Sequence, residues 1–357
     1  MAQVLPVVII LSAVGQVMCF DDFSEEQRPK VHYKTQEHLR LDGGRCIAPQ
    51  AVAASGSGGR PSTRATQEIK VDALNVAYQG YTYKSSIAFS VGRERAPVVL
   101  VFPNYAGKKQ FDVDQAVFLA QTGYVGVAVD LYQEIPEYGA EHRNPGRDAT
   151  EEELKQHRKG AFAAMNGLLR KPVVLRGLME ATLAAARLHS SAHQQLAGSI
   201  GYCFGGACVL ECVRGRLDMQ AVVSFHGVLH SSPLNIEQDP NFDHKVDAAP
   251  EGPYATWCRV LIENGDLDFI VPQESILAFK KEMDDNNVDW QFHNHAKTPH
   301  GFGLPPGVWS TAYCEAADRR STLSMLQHFK ETWPEFPQYT VARNAAGTLL
   351  HPVRARL

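Results

Sequence analysis

Short, unbroken apolar runs recur along this chain, separated by longer stretches whose apolar positions fall three or four apart. The runs are APVVLVFPN (Ala96 to Asn104), YVGVAVDLY (Tyr124 to Tyr132), LAGSIGY (Leu196 to Tyr202), MQAVVSFHG (Met219 to Gly227) and YATWCRVLIENGD (Tyr254 to Asp266), with VDWQFHNH (Val288 to His295) as the last. Continuous β-branched runs of this length predict strands buried on both faces. Between them, DVDQAVFLAQTG places Ala116, Val117, Leu119 and Ala120 on one side and ends on Gly123, as a helix does. TEEELKQHRKGAFAAMNGLLR opens with Thr150 and acidic residues, a helix start. VVLRGLMEATLAAARLH, FGGACVLECVRG, PQESILAFKKEMDDNN and the amphipathic RRSTLSMLQHFKETW (Arg319 to Trp333) predict further helices. Strands that alternate with helices in this way predict a mostly parallel sheet with helices on both faces. One α/β domain over 67–335 accounts for the pattern.

The flanks read differently. Residues 1–20 carry no charged side chain, and Asp21 and Asp22 follow at once. The apolar core from Val4 to Gly15 has the length of a secretory signal, although no Lys or Arg precedes it. The alternatives are a membrane anchor and a buried N-terminal helix. Residues 21–66 read as a leader and flexible linker, with AVAASGSGGRPSTRAT rich in Ala, Ser and Gly, and residues 336–357 read as a tail.

Hydrophobic content of 44% is enough for a sizeable core. With 35 basic against 39 acidic residues there is no electrostatic case for nucleic acid or for an anionic membrane surface, and no stable membrane partner is expected. The seven cysteines lack the dense spacing of a disulfide scaffold, and no Asn-x-Ser/Thr sequon supports secretion. HNHAKTPH offers a His-x-His pair with no ligand cluster beside it, so neither a metal nor a cofactor is expected.

In open α/β sheets, chemistry gathers beyond the carboxyl ends of the strands. At one such end, SIGYCFGGACVL sets Cys203 between Gly201 and the pair Gly205–Gly206, where a strand gives way to a helix. A strand–nucleophile–helix turn needs small neighbours, and the helix N-terminus favours thiolate. A buried structural thiol is the commoner fate of a cysteine, and it suits Cys208 and Cys212, four apart on one helix face. Downstream, NGDLDFIVP and TPHGFG supply an acid and a histidine at successive strand ends, in the order a hydrolase triad requires.

GYCFGG (Gly201 to Gly206), SFHG (Ser224 to Gly227), DFIVP (Asp268 to Pro272), HGF (His300 to Phe302), ADRRS (Ala317 to Ser321) and the earlier GYVGVAVDLY together resemble the dienelactone hydrolase family, carboxymethylenebutenolidase-like enzymes with a cysteine nucleophile. The resemblance covers residues 70–333 and implies the α/β-hydrolase fold, hydrolysis of small esters or lactones, and no metal or cofactor. Carried over by position, it implies Cys203 as nucleophile, Asp268 rather than Asp266 as acid, His300 as base, and the backbone N–H groups of Phe204 and Tyr105 as oxyanion hole. Asn104, His226 and Phe302 are candidates to line the substrate pocket, and GLPPGVW (Gly303 to Trp309) to overhang it; a packed structural role is the alternative for His226. Asn104 stands where the family commonly has Glu, and Glu134 and Leu304 stand where carboxylate-binding members have arginines. Two other readings stay open: a weakly catalytic scaffold used for binding, and a redox protein pairing Cys203 with Cys208.

The apolar leader makes one direct prediction: protein from the native source starts beyond Cys19. N-terminal sequencing that begins at Met1 or Ala2 would refute cleavage.

Overall fold

The structure, a computed structural model, describes residues 68–132, 149–235, 240–249, 252–305 and 312–336. The leader, the 21–66 linker, Glu134, residues 306–309 of the overhanging segment and the tail beyond Phe336 lie outside the described residues.

The sheet opens with a hairpin that the run-and-helix pattern does not predict. β1 (Ile69–Tyr78) and β2 (Tyr81–Ser90) pair antiparallel in unbroken register from Ile69 opposite Ser90 to Tyr78 opposite Tyr81. The two-residue turn has φ 48° at Gln79 and φ 84° at Gly80. Positive φ at both central positions matches the natural twist of a hairpin, and Gly meets it without steric penalty.

Six further strands follow: β3 (Ala96–Phe102), β4 (Val125–Ala128), β5 (Ala192–Tyr202), β6 (Ala221–Phe225), β7 (Arg259–Gly265) and β8 (Trp290–His295). Their spatial order is β1-β2-β4-β3-β5-β6-β7-β8. β2 runs antiparallel to β4, and every pairing from there to β8 is parallel. β4 is shorter than its apolar run because Asp130 takes over the hydrogen bonding. Its carboxylate accepts from the N–H of Lys84 at 2.9 Å and of Tyr132 at 3.1 Å, turning the chain out of the sheet.

Side chains of β3 show how the sheet divides the core. Val98, Leu100 and Phe102 enter one apolar cluster, while Val99 and Val101 enter another on the opposite face. That is the period-two alternation of a strand with both faces covered. The first cluster is closed by α2 (Glu151–Leu169), α3 (Pro172–Arg187), α4 (Phe204–Arg214) and α5 (Gln273–Asp285). The second is closed by α1 (Gln110–Gln121) and α6 (Glu315–Thr332). α2 starts where the sequence places it: Thr150 and Glu153 form a reciprocal capping box, with the Thr150 N–H donating to the Glu153 carboxylate at 2.7 Å.

A buried ionic network anchors the far end of α4. The Arg214 guanidinium, almost fully buried, bonds both oxygens of Glu282 at 2.7 and 2.8 Å, Glu211 at 3.1 Å and the Leu229 carbonyl at 3.0 Å. Glu211 also accepts from Arg176 at 2.8 Å and from the Ser231 hydroxyl at 2.6 Å. The segment after β6 is thereby tied to α4, and α4 to α3 and α5. Removing one partner of such a network strands the others without water. Arg214→Leu should therefore lower stability by about 3 kcal/mol in urea denaturation of the full chain. A loss below about 1 kcal/mol, the range of exposed pairs, would show that water reaches the network.

Candidate active site

Cys203 is the single residue between β5 and α4, with φ 56° and ψ −111°. That left-handed backbone costs a residue with a side chain about 1–3 kcal/mol, and surrounding contacts must hold it. They do so on every side. A methyl group on Gly201 would lie 2.0 Å from the Gly205 carbonyl oxygen, one on Gly205 2.3 Å from that of Phe102, and one on Gly206 2.4 Å from the Gly227 Cα. The Cys203 N–H donates to Phe225 at 3.2 Å, and its carbonyl accepts from Gly206 at 2.9 Å and Val228 at 3.1 Å. β3, β5, β6 and α4 thus meet at one strained turn, with the thiol at the positive end of α4.

Two further elements deliver the partners. The chain leaving β7 folds against the chain leaving β8: Asp266 N–H donates to His295 and Leu267 N–H to Thr298, both at 2.9 Å. The acid loop and the histidine loop are thereby locked together. His300 Nδ1 lies 2.8 Å from Asp268 Oδ2, and the other Asp268 oxygen accepts the Ile270 N–H at 2.9 Å. Asp266 instead faces outward and accepts from Asn294 at 2.7 Å.

His300 is buried, hydrogen-bonded to Asp268 and electrostatically coupled to the Cys203 sulfur. Burial alone would drive its pKa down, but the Asp268 carboxylate and then the Cys203 sulfur outweigh it and bring the value up to about 10. Cys203 and Asp268, far apart in sequence, thus both act on the one imidazole of His300.

The other cysteines contrast with Cys203. Cys208, Cys212 and Cys258 are free and buried. Desolvation pushes the Cys208 thiol well above its ordinary range, Cys212 upward as well, and Cys258 up to about 12. Cys208 therefore offers no thiolate to a redox pair with Cys203.

The remaining candidates are placed as follows. Phe204 occupies the first turn of α4, where a backbone N–H has no partner within the helix. Tyr105 follows β3, its ring stacked 4.4 Å from that of Phe162. Asn104 turns its Oδ1 onto its own loop, accepting the Ala106 N–H at 2.8 Å, so this side chain shapes the segment that carries Tyr105. His226, just after β6, is fully buried, and neither ring nitrogen has a protein partner. An unsatisfied buried polar group of this kind costs about 1–3 kcal/mol. Phe302 is also fully buried and packs against His226 with ring centroids 5.3 Å apart. Leu304 lies in the apolar core cluster with Phe225, Leu261 and Met325.

One residue beside the site is not anticipated from the sequence. Glu263, within β7, is a fully buried carboxylate clasped by His293 Nδ1 at 2.8 Å and His295 Nε2 at 2.6 Å. Its backbone carbonyl accepts the His226 N–H at 2.8 Å. The visible signal is a lone acid inside VLIENG, with a His-x-His on the strand that follows, and this clasp is what the His-x-His pair serves.

Known proteins agree with this architecture. The chain is similar to an uncharacterized protein of Caenorhabditis elegans, 30% identical over 169 residues that cover 44% of this chain and 94% of the relative. A Bradyrhizobium protein described as a probable 2-oxo-3-(5-oxofuran-2-ylidene)propanoate lactonase is 22% identical, over 67% of this chain and 86% of its own. Among solved structures, a dienelactone hydrolase-like promiscuous phosphotriesterase from metagenomic libraries superposes with a TM-score of 0.58 at 21% identity, covering 74% of this chain and 98% of that one. At these identities the solved structure speaks for the fold, a mostly parallel α/β-hydrolase sheet. The profile of the dienelactone hydrolase family matches residues 84–333, a span that includes Cys203, Asp268 and His300, and the protein belongs to that family of hydrolases.

Proposed function

We propose that this hydrolase cleaves small, uncharged esters or lactones through an acyl-enzyme formed on Cys203. The observation that carries the reading is the Cys203–His300–Asp268 chain, closed at 2.8 Å on the acid side and set on a strained turn at a helix N-terminus. His300, its pKa raised to about 10, holds the proton beside the Cys203 thiolate, and the thiolate adds to the ester carbonyl. The oxygen that becomes negative is met by the N–H groups of Phe204 and Tyr105, each such donor being worth about 3 kcal/mol in related chemistry. The tetrahedral adduct collapses, and His300 protonates the departing alkoxide. Water then attacks the thioester with His300 as base, releasing the acid and restoring the Cys203 thiolate beside the protonated His300. Asp268 fixes the imidazole tautomer and balances its charge throughout.

Substrate charge follows from the residue types at positions 134 and 304. Leu304 is packed into the core and residue 134 is a glutamate, so neither position offers a carboxylate a cation. The lactonase description of the Bradyrhizobium relative supports a cyclic ester, and the absent charges favour a neutral one.

Two outcomes check the reading. Cys203→Ala should abolish p-nitrophenyl acetate turnover with the fold intact, and His300→Ala should cost about 100-fold or more in kcat. Wild-type hydrolysis by Cys203→Ala would end the nucleophile assignment. By kcat/KM, neutral short-chain esters and lactones should exceed carboxylated dienelactones; a carboxylated dienelactone as best substrate would overturn the charge argument.

The His300 proton gives a pH signature. Its folded-state pKa, about 10, lies above the free value, so its stabilising contribution is complete below about pH 6.5 and is lost as pH rises toward 10. Cys203→Ala removes one of the two groups that raise it. NMR titration of His300 should then show a lower pKa, and an unchanged value would mean that sulfur and imidazole share no charge.

A further inference from the structure

Among the described residues, His226 is the buried ring beside the triad whose polarity the fold does not use. Its backbone holds φ 39°, and its ring is fully enclosed with both nitrogens unpartnered. The ring lies 5.0 Å from that of His300 at an interplanar angle of 72°, edge to face. Phe302 at 5.3 Å and Tyr202 at 5.9 Å complete its surroundings. An apolar ring would fill this space without burying two idle nitrogens, so packing alone does not account for an imidazole here.

We propose that His226 is a positioning residue for His300: its uncharged ring flanks the His300 imidazole and provides the polar surface against which that imidazole carries its proton during acyl transfer. The inference rests on the nucleophile reading above. Three features support it. The His300 ring is held through Nδ1 by Asp268 alone, and rotation about its terminal torsion is soft, so a rigid neighbour is needed to keep the other nitrogen on Cys203. His226 cannot itself yield, because its N–H is bonded to Glu263 and the adjoining Gly227 abuts Gly206, where a methyl on Gly227 would lie 2.7 Å from the Gly206 Cα. Burial, reinforced by the neighbouring His300, drives the His226 pKa well below its ordinary value, so this ring stays neutral and never competes for the catalytic proton.

The charged and titratable groups around the pair are few. Asp268 comes from the loop after β7, Cys203 from the head of α4 and Tyr202 from the end of β5. Asp318 of α6 stands across Gly303, where an added methyl would lie 3.8 Å from both its Oδ1 and His226 Nε2. Glu263 turns its carboxylate away to His293 and His295, and His295 reaches the pair only through Phe302, with ring centroids 5.5 Å apart. Of these, Asp268 hydrogen-bonds His300 directly, the Cys203 sulfur acts on it electrostatically, and His226 is the neutral polar ring beside it.

The test uses His226→Phe, which keeps the ring and removes its polarity, and His226→Asn, which suits left-handed backbone and secures a folded variant. Both are made in the full chain with Cys203→Ala alongside. The readouts are the melting temperature, kcat and KM on p-nitrophenyl acetate, and the pH profile of kcat/KM. In each folded variant the alkaline limb, which reports loss of the His300 proton, should move down by about one pH unit, a tenfold change in that equilibrium. At pH 9, where the protonated fraction would fall from about nine-tenths to about one-half, kcat should fall about twofold with KM little changed. A folded variant that keeps the wild-type limb, whatever its melting temperature, overturns the proposal and leaves His226 as packing. If Cys203→Ala turns over at the wild-type rate, the nucleophile reading fails and takes this inference with it. An inactive Cys203→Ala beside unchanged His226 variants removes this inference alone.

Discussion

Everything at this site depends on one backbone being held where it would not go by itself. Cys203 adopts φ 56° because three glycine contacts leave α4 no room to retreat from β3, β5 and the segment after β6. Those contacts are backbone against backbone, so they do not relax by a change of rotamer. The strain sits at Cys203 and at the nearby His226, φ 39°, and is offset by the packing of the elements that converge there, which is where a fold can sustain it. The same geometry presents the sulfur at the helix N-terminus, so the conformational constraint and the electrostatic one have a single origin.

Buried charge is handled in two parallel units on neighbouring strands. Asp268 is matched to His300, and Glu263 to His293 and His295. Both carboxylates are removed from water and answered by imidazole, which supplies a donor without demanding the permanent desolvated charge of an arginine. On the distant side of α4, where nothing has to titrate, the partners of Glu211 and Glu282 are arginines. Each location selects its cation: a ring that can trade protons near the sulfur, and a guanidinium that keeps them where only architecture is required.

The sequence discloses what repeats a period or sits at a strand end. Buried strands such as Ala96–Phe102 read directly because every position is apolar, and the Thr150 capping box marks its helix to the residue. Cys203, Asp268 and His300 stand out together because hydrolase chemistry requires that order at successive strand ends; the structure sets His300 on Asp268 at 2.8 Å, with the Cys203 sulfur acting on the same imidazole. The first hairpin is not legible by burial because β1 is largely exposed although most of its residues are apolar, Val71 among them; Gln79–Gly80 is its local signal. Glu263 is hidden for a different reason. Its partners lie on the next strand, and only the parallel register that sets Glu263 opposite His293 reveals the pairing. Asn104 illustrates a third limit, since composition cannot say whether a short polar side chain faces a pocket or closes its own turn.

The hairpin also decides how this sheet ends. Among the described residues β1 pairs on one side only, leaving the outer row of its amides and carbonyls to face outward. An open strand edge of ten residues is a template onto which another chain can zip. Lys70, Asp72 and Asn75 put solvated polar groups along that border beside the exposed Val71 and Ala73, and a strand that docked there would have to strip them of water. A strand that contributes little to the core thus raises the cost of adding another strand at the margin of the sheet farthest in strand order from β8.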